Sequence, residues 1–75
     1  MSGFRATRFK LGDLVVPRFE ATVNPHAPTG YYISTQDVGV VTQILEEEYG
    51  ISIQVLFKGR FTSWRPDDLR RVRSV

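Results

Sequence analysis

Covalent chemistry needs an acid–base pair, a nucleophile with its base, a metal or a cofactor cradle. The groups that qualify by type are few. Asp67-Asp68 is a pair of carboxylates, but adjacent residues of a helical turn diverge, and acids there offset the dipole of the turn. Glu46-Glu47-Glu48 reads as a solvated turn rather than a cation site, because three like charges in a row repel each other. His26 is the one histidine and there is no cysteine, so a zinc site would need three carboxylate ligands, which is unusual. The six glycines show no phosphate-cradling spacing. No catalytic residue, cofactor or metal ligand is assigned, no small-molecule substrate is expected, and an enzyme is the least expected class.

Recognition chemistry is better represented. Arginine outnumbers lysine eight to two, which favours bidentate contacts to carboxylate or phosphate. The net charge of +2 hides a segregation. Residues 1–18 hold Arg5, Arg8, Lys10 and Arg18 against Asp13, a net +3. Residues 19–57 hold Glu20, Asp37, Glu46, Glu47 and Glu48 with no Lys or Arg, a net −5. Residues 58–75 hold Lys58, Arg60, Arg65, Arg70, Arg71 and Arg73 against Asp67 and Asp68, a net +4. Trp64 between Arg60 and Arg65 is either a cap on the core or a surface platform that engages a protein or stacks on a base. Tyr31 and Tyr32 are successive, so one is expected in the core and the other exposed as a binding residue.

These side chains need a scaffold. Seventy-five residues make one domain, burying about 60–65% of the surface of the unfolded chain. Hydrophobic residues at 41% with nine aromatics argue for a folded core. No apolar run is long enough to span a membrane, and no apolar run follows the basic N-terminus as a secretory signal would require. A soluble protein of the cytoplasm is expected, with no membrane partner.

Residues 1–10 lack a period and read as a flexible basic arm, with the folded domain over 11–75. Leu14-Val15-Val16 is a first strand ended by Pro17. Residues 18–36 carry Pro25, Pro28 and Gly30 and read as one long loop. Val38 to Leu45 is a second strand, with a bulge or close backbone approach at Gly39. Glu46 to Gly50 is a turn. Ile51 to Phe57 alternates, with Ile51, Ile53, Val55 and Phe57 on one face. Lys58-Gly59 makes a tight hairpin to Phe61–Trp64. It sets Phe57 opposite Arg60, Val55 opposite Thr62 and Ile53 opposite Trp64. Pro66 to Leu69 is one 3₁₀ turn, and Arg70 to Val75 a short last strand with Val72 facing in. The class is all-β, five strands in a small partly open barrel.

This order resembles the SH3-like barrel over residues 11–74. The long first loop, the tight Lys58-Gly59 hairpin and the Pro66–Leu69 turn before the last strand carry the likeness. Gly12-Asp13-Leu14-Val15, Gly39-Val40-Val41-Thr42, Phe61-Thr62-Ser63-Trp64 and Pro66-Asp67-Asp68-Leu69 are similar to the small SH3-like proteins encoded by tailed bacteriophages. Tyr31-Tyr32, Gly39-Val40-Val41, Val55-Leu56-Phe57 and Leu69 with Val72 resemble the ferredoxin-docking subunits of photosynthetic complexes. KOW and Tudor-like modules are a more distant likeness, since the basic-glycine loop of KOW motifs is absent. The resemblance implies a non-catalytic interaction module, a phage-encoded accessory or virion assembly protein, in host cytoplasm or virion. Its partner would be an acidic protein surface or another copy of itself. The alternatives are a nucleic-acid-binding module and a docking subunit for an acidic electron-transfer protein. In that fold the first and last strands lie side by side, which would gather Arg8, Lys10, Arg18, Arg70, Arg71 and Arg73. With Arg5, Tyr31, Tyr32, Arg60, Trp64 and Arg65 they form the expected partner-binding set.

Overall fold

A computed structural model describes residues 8–23 and 31–73. Its elements are β1 (Leu14–Pro17), β2 (Ala21–Val23), β3 (Tyr31–Ile33), β4 (Gly39–Glu47), β5 (Gly50–Phe57), β6 (Arg60–Trp64), a 3₁₀ turn (Pro66–Asp68) and β7 (Leu69–Arg73). Five strands form one antiparallel sheet in the order β6-β5-β4-β1-β7, and β2 pairs with β3 in a second sheet. The class is all-β. Among the described residues no pairing joins β6 to β7, so the larger sheet stays open at that seam.

The core follows from alternation. Ile53, Val55 and Phe57 are fully buried on one face of β5, and Val15, Val41, Ile33 and Leu69 meet them from other strands. Full burial of each such side chain is worth about 1.5–3 kcal/mol. On the opposite face the register lines up Leu14, Val40, Leu56 and Phe61 in one row across four strands, and Phe61 is 64% exposed.

Gly39 shows why that position has no side chain. A Cβ there would stand 2.6 Å from Val55 Cγ1 and 2.8 Å from both the Leu56 carbonyl oxygen and Phe57 Cδ1. The close approach falls at Gly39, while the bulge falls later, between Val41 and Gln43. The Thr42 hydroxyl at that bulge donates to the Gln54 carbonyl oxygen at 3.2 Å.

The β5–β6 hairpin has the expected register, with Phe57 opposite Arg60, Val55 opposite Thr62 and Ile53 opposite Trp64. Its turn residues, Lys58 (φ 52°) and Gly59 (φ 78°), both have positive φ, as a type I′ turn demands. Lysine is strained there. Its ammonium compensates by reaching Asp37 Oδ2 at 3.3 Å and the Tyr32 carbonyl oxygen at 3.1 Å. This ties the hairpin to β3 and to the segment that follows it.

Three expectations change. The long loop over 18–36 contains β2 and β3, paired as Ala21–Ile33, Thr22–Tyr32 and Val23–Tyr31, and Ile33 delivers a core side chain. His26, Pro25 and Pro28 lie outside the described residues. Val72 does not face in: it is 50% exposed. The last strand begins at Leu69, straight from the 3₁₀ turn, and Leu69 takes the inward position opposite Pro17, so alternation turns Val72 outward. Within the segment read as an arm, Phe9 is buried in the core at 6% exposure.

Candidate functional site

The site grows from the pairing of β1 with β7. Pro17 lies opposite Leu69, Val16 opposite Arg70 and Val15 opposite Arg71, with an irregularity before Leu14 opposite Arg73. Apolar inward residues hold the two strands to the core and leave the arginines at the rim. A cleft of about 190 Å³ results, lined by Arg8, Phe9, Arg18, Leu69, Arg70 and Arg71.

Two of these arginines are held in place by backbone. Arg18 Nε donates to the Leu69 carbonyl oxygen at 3.1 Å, and its amide donates to the Asp68 carbonyl oxygen at 2.9 Å. Arg71 Nη1 donates to the Arg8 carbonyl oxygen at 2.8 Å. The same nitrogen stands 3.8 Å from Asp13 Oδ2. Asp13 is fully buried and shapes the turn that begins the fold. Its carboxylate accepts from the Lys10 amide at 2.9 Å, and its own amide donates to the Lys10 carbonyl oxygen at 3.1 Å. Among the described residues Arg8 and Arg70 take part in no ion pair, and both are exposed. Their guanidinium forks remain available to a planar anion such as a carboxylate.

A second depression adjoins the first. It is a groove of about 290 Å³ with Tyr49, Ile51, Trp64, Arg65 and Asp68 among its lining residues. Asp68, the last residue of the 3₁₀ turn, lines this groove, and the next residue, Leu69, lines the cleft. Trp64 is half-buried. Its ring meets Phe57 edge-on, with centroids 5.5 Å apart, and its Nε1 donates to Thr62 Oγ1 at 2.6 Å. Thr62 Oγ1 in turn donates to the Val55 carbonyl oxygen at 2.8 Å. Trp64 is therefore both a cap on the core and a wall of the groove.

No family model, curated protein or solved structure matches this chain.

The expected residues divide by place. Arg8, Arg18, Arg70 and Arg71 come together in the cleft, and Lys10 is exposed on the adjoining turn. Trp64 and Arg65 share the groove, where Arg65 Nε pairs with Asp68 Oδ2 at 3.6 Å. Arg60 starts β6 at the hairpin end, four residues from Trp64, which is about 13 Å along a strand, so the platform expected of Arg60, Trp64 and Arg65 is not assembled. Tyr32 is exposed on β3, where a hydrogen bond to the Glu20 carboxylate raises its pKa, with burial and the Glu20 charge adding to the shift. Arg5 and the side chains of Tyr31 and Arg73 lie outside the described residues.

Sequence reasoning missed Phe9, Tyr49 and Asp13. Tyr49 is 96% exposed at the tip of the β4–β5 hairpin, directly after the three glutamates, and only the shape of the hairpin sets it on the groove that Trp64 also lines. Among the described residues no group of three or more His, Asp or Glu side chains is arranged to hold a metal ion.

Proposed function

We propose that the chain is an SH3-like barrel acting as a non-catalytic interaction module, docking an acidic protein surface through the arginine cleft. The fold reading is supported by the strand order β6-β5-β4-β1-β7. It is supported also by the β2–β3 hairpin inserted between β1 and β4 and by the 3₁₀ turn before β7. The observation that carries the docking reading is the meeting of Arg8, Arg18, Arg70 and Arg71 around one cleft. Arg18 and Arg71 are fixed by backbone acceptors, which lowers the cost of ordering the cleft walls on binding, and among the described residues Arg8 and Arg70 take part in no ion pair. The resemblance of its sequence pattern to phage-encoded barrels favours an accessory or particle-assembly role for the module.

Nucleic acid is the weaker fit. A phosphate backbone leaving the cleft past the start of β7 would meet Asp68 and Glu47 in the adjoining groove. A peptide carboxylate ends in the cleft and avoids them. Such complementarity favours one partner and repels another.

The test is retention on immobilised polyglutamate and on duplex DNA at low salt, for the wild type and for Arg8→Gln/Arg70→Gln. The reading predicts retention on polyglutamate that added salt releases and the double substitution abolishes. Preference for DNA would make the nucleic-acid reading the better one. Binding to neither would overturn the docking reading.

A further inference from the structure

We propose that the carboxylates accepted by the arginine cleft are those of the β4–β5 hairpin tip of a second copy of this chain. The inference rests on the docking reading above and names its partner. The tip extends beyond the strands that flank it, while Glu47 and Tyr49 also line the outer end of the Trp64 groove. The pairs Leu45–Ser52, Glu46–Ile51 and Glu47–Gly50 run past the neighbouring strands, since β6 pairs no further than Trp64 with Ile53 and β1 no further than Leu14 with Val40. Three strand residues advance about 10 Å. The projecting part carries Glu46, Glu47 and Glu48, all exposed, and then Tyr49, which is 96% exposed.

Charge supplies the match. Among the described residues no ion pair engages Glu46, Glu47 or Glu48, and none engages Arg8 or Arg70. One molecule therefore presents three carboxylates on a narrow tip, and two guanidinium forks in a cleft of about 190 Å³, that pair with no described residue. A space of that size takes one or two side chains and excludes a broad surface, so the occupant must be a protrusion. Carboxylates of the tip lie against Arg8 and Arg70 as forked pairs, and the Tyr49 ring stacks on a guanidinium plane at the rim. The contact joins two different surfaces, so it repeats head to tail, making a ring or an open chain.

Sedimentation velocity at low ionic strength tests this across a concentration series. The proteins are the wild type, a tip variant (Glu46→Gln/Glu47→Gln/Glu48→Gln) and a cleft variant (Arg8→Gln/Arg70→Gln). All the substituted residues are exposed, and circular dichroism checks that each variant is folded. The wild type should gain mass with concentration and return to monomer in salt. Each variant alone should associate about tenfold or more weakly, as loss of the forked pairs requires. An equimolar mixture of the two should stop at a 1:1 dimer, because one retains the cleft and the other the tip. A wild type that stays monomeric yet is retained on polyglutamate overturns self-docking and leaves the cleft reading intact. A monomer retained by neither matrix overturns both. Oligomers that survive either substitution also overturn the proposal, since another face, such as the Leu14–Val40–Leu56–Phe61 row, would then hold them.

Discussion

Arg71 Nη1 lies 3.8 Å from the fully buried carboxylate of Asp13. Through this relationship the turn at residues 10–13 and the last strand hold each other. The same guanidinium donates to the Arg8 carbonyl oxygen, so one side chain closes the β1–β7 edge and forms a wall of the cleft. Asp13→Ala removes an acceptor used by the Lys10 amide and the buried countercharge of Arg71. The expected cost is about 2 kcal/mol, the usual range for a hydrogen bond to a charged group, read as a lower midpoint in urea unfolding. Arg71→Gln should cost more than Arg70→Gln, which breaks no ion pair among the described residues.

Gly39 tolerates no side chain. In Gly39→Ala the new methyl overlaps a backbone oxygen as well as two side chains, so relief requires β4 and β5 to separate. Overpacking of this kind costs about 1–3 kcal/mol. Thermal unfolding should show a clear fall in Tm, with Val38→Ala on the exposed neighbour as the unaffected control.

Phe9 belongs to the core. Phe9→Ala should destabilise by about 3 kcal/mol or more, and removal of residues 1–9 should be far more harmful than removal of residues 1–7. Equal stability of the two truncated chains by urea unfolding would mean that Phe9 is not a core residue in solution.

Asp37 gives the fold an acid-sensitive contact. The Ser34 amide, first of all, and then Lys58 hold its carboxyl below the usual 3.8. A carboxyl with a lowered pKa in the folded state stabilises above the unfolded value, and that contribution disappears as pH falls through the folded one. The stability gap between wild type and Asp37→Asn should therefore be present at pH 6 and close as pH drops below about 4. A gap that stays constant down to pH 2 would show that the charge of Asp37 plays no part.

Regular alternation made part of this fold legible. Ile53, Val55 and Phe57 announce one buried face, and the two-residue gap at Lys58-Gly59 fixes the β5–β6 register. Alternation misled at Val72, where the strand start at Leu69 sets the phase and no residue within Arg70–Val75 reveals it. Apart from Ala21, the triplets Ala21-Thr22-Val23 and Tyr31-Tyr32-Ile33 are β-branched or aromatic, but three residues are too short a run to stand out beside Pro25, Pro28 and Gly30. The candidate site was legible as charge segregation, because β1 and β7 are neighbours in the sheet and basic residues flank β1 and lie on β7. Its partition was not. The separation of Arg60 from Trp64 depends on strand length, and the placing of Tyr49 on the groove that Trp64 also lines depends on how far the β4–β5 hairpin extends.

The central claim is that carboxylates bind in the cleft between β1 and β7. Amide-resolved NMR during titration with a short polyglutamate peptide tests it most directly. The account predicts shifts centred on Arg8, Phe9, Arg18, Leu69, Arg70 and Arg71, saturating with peptide and reversed by salt. Shifts confined to the Trp64–Tyr49 groove, or no shifts at all, would contradict it.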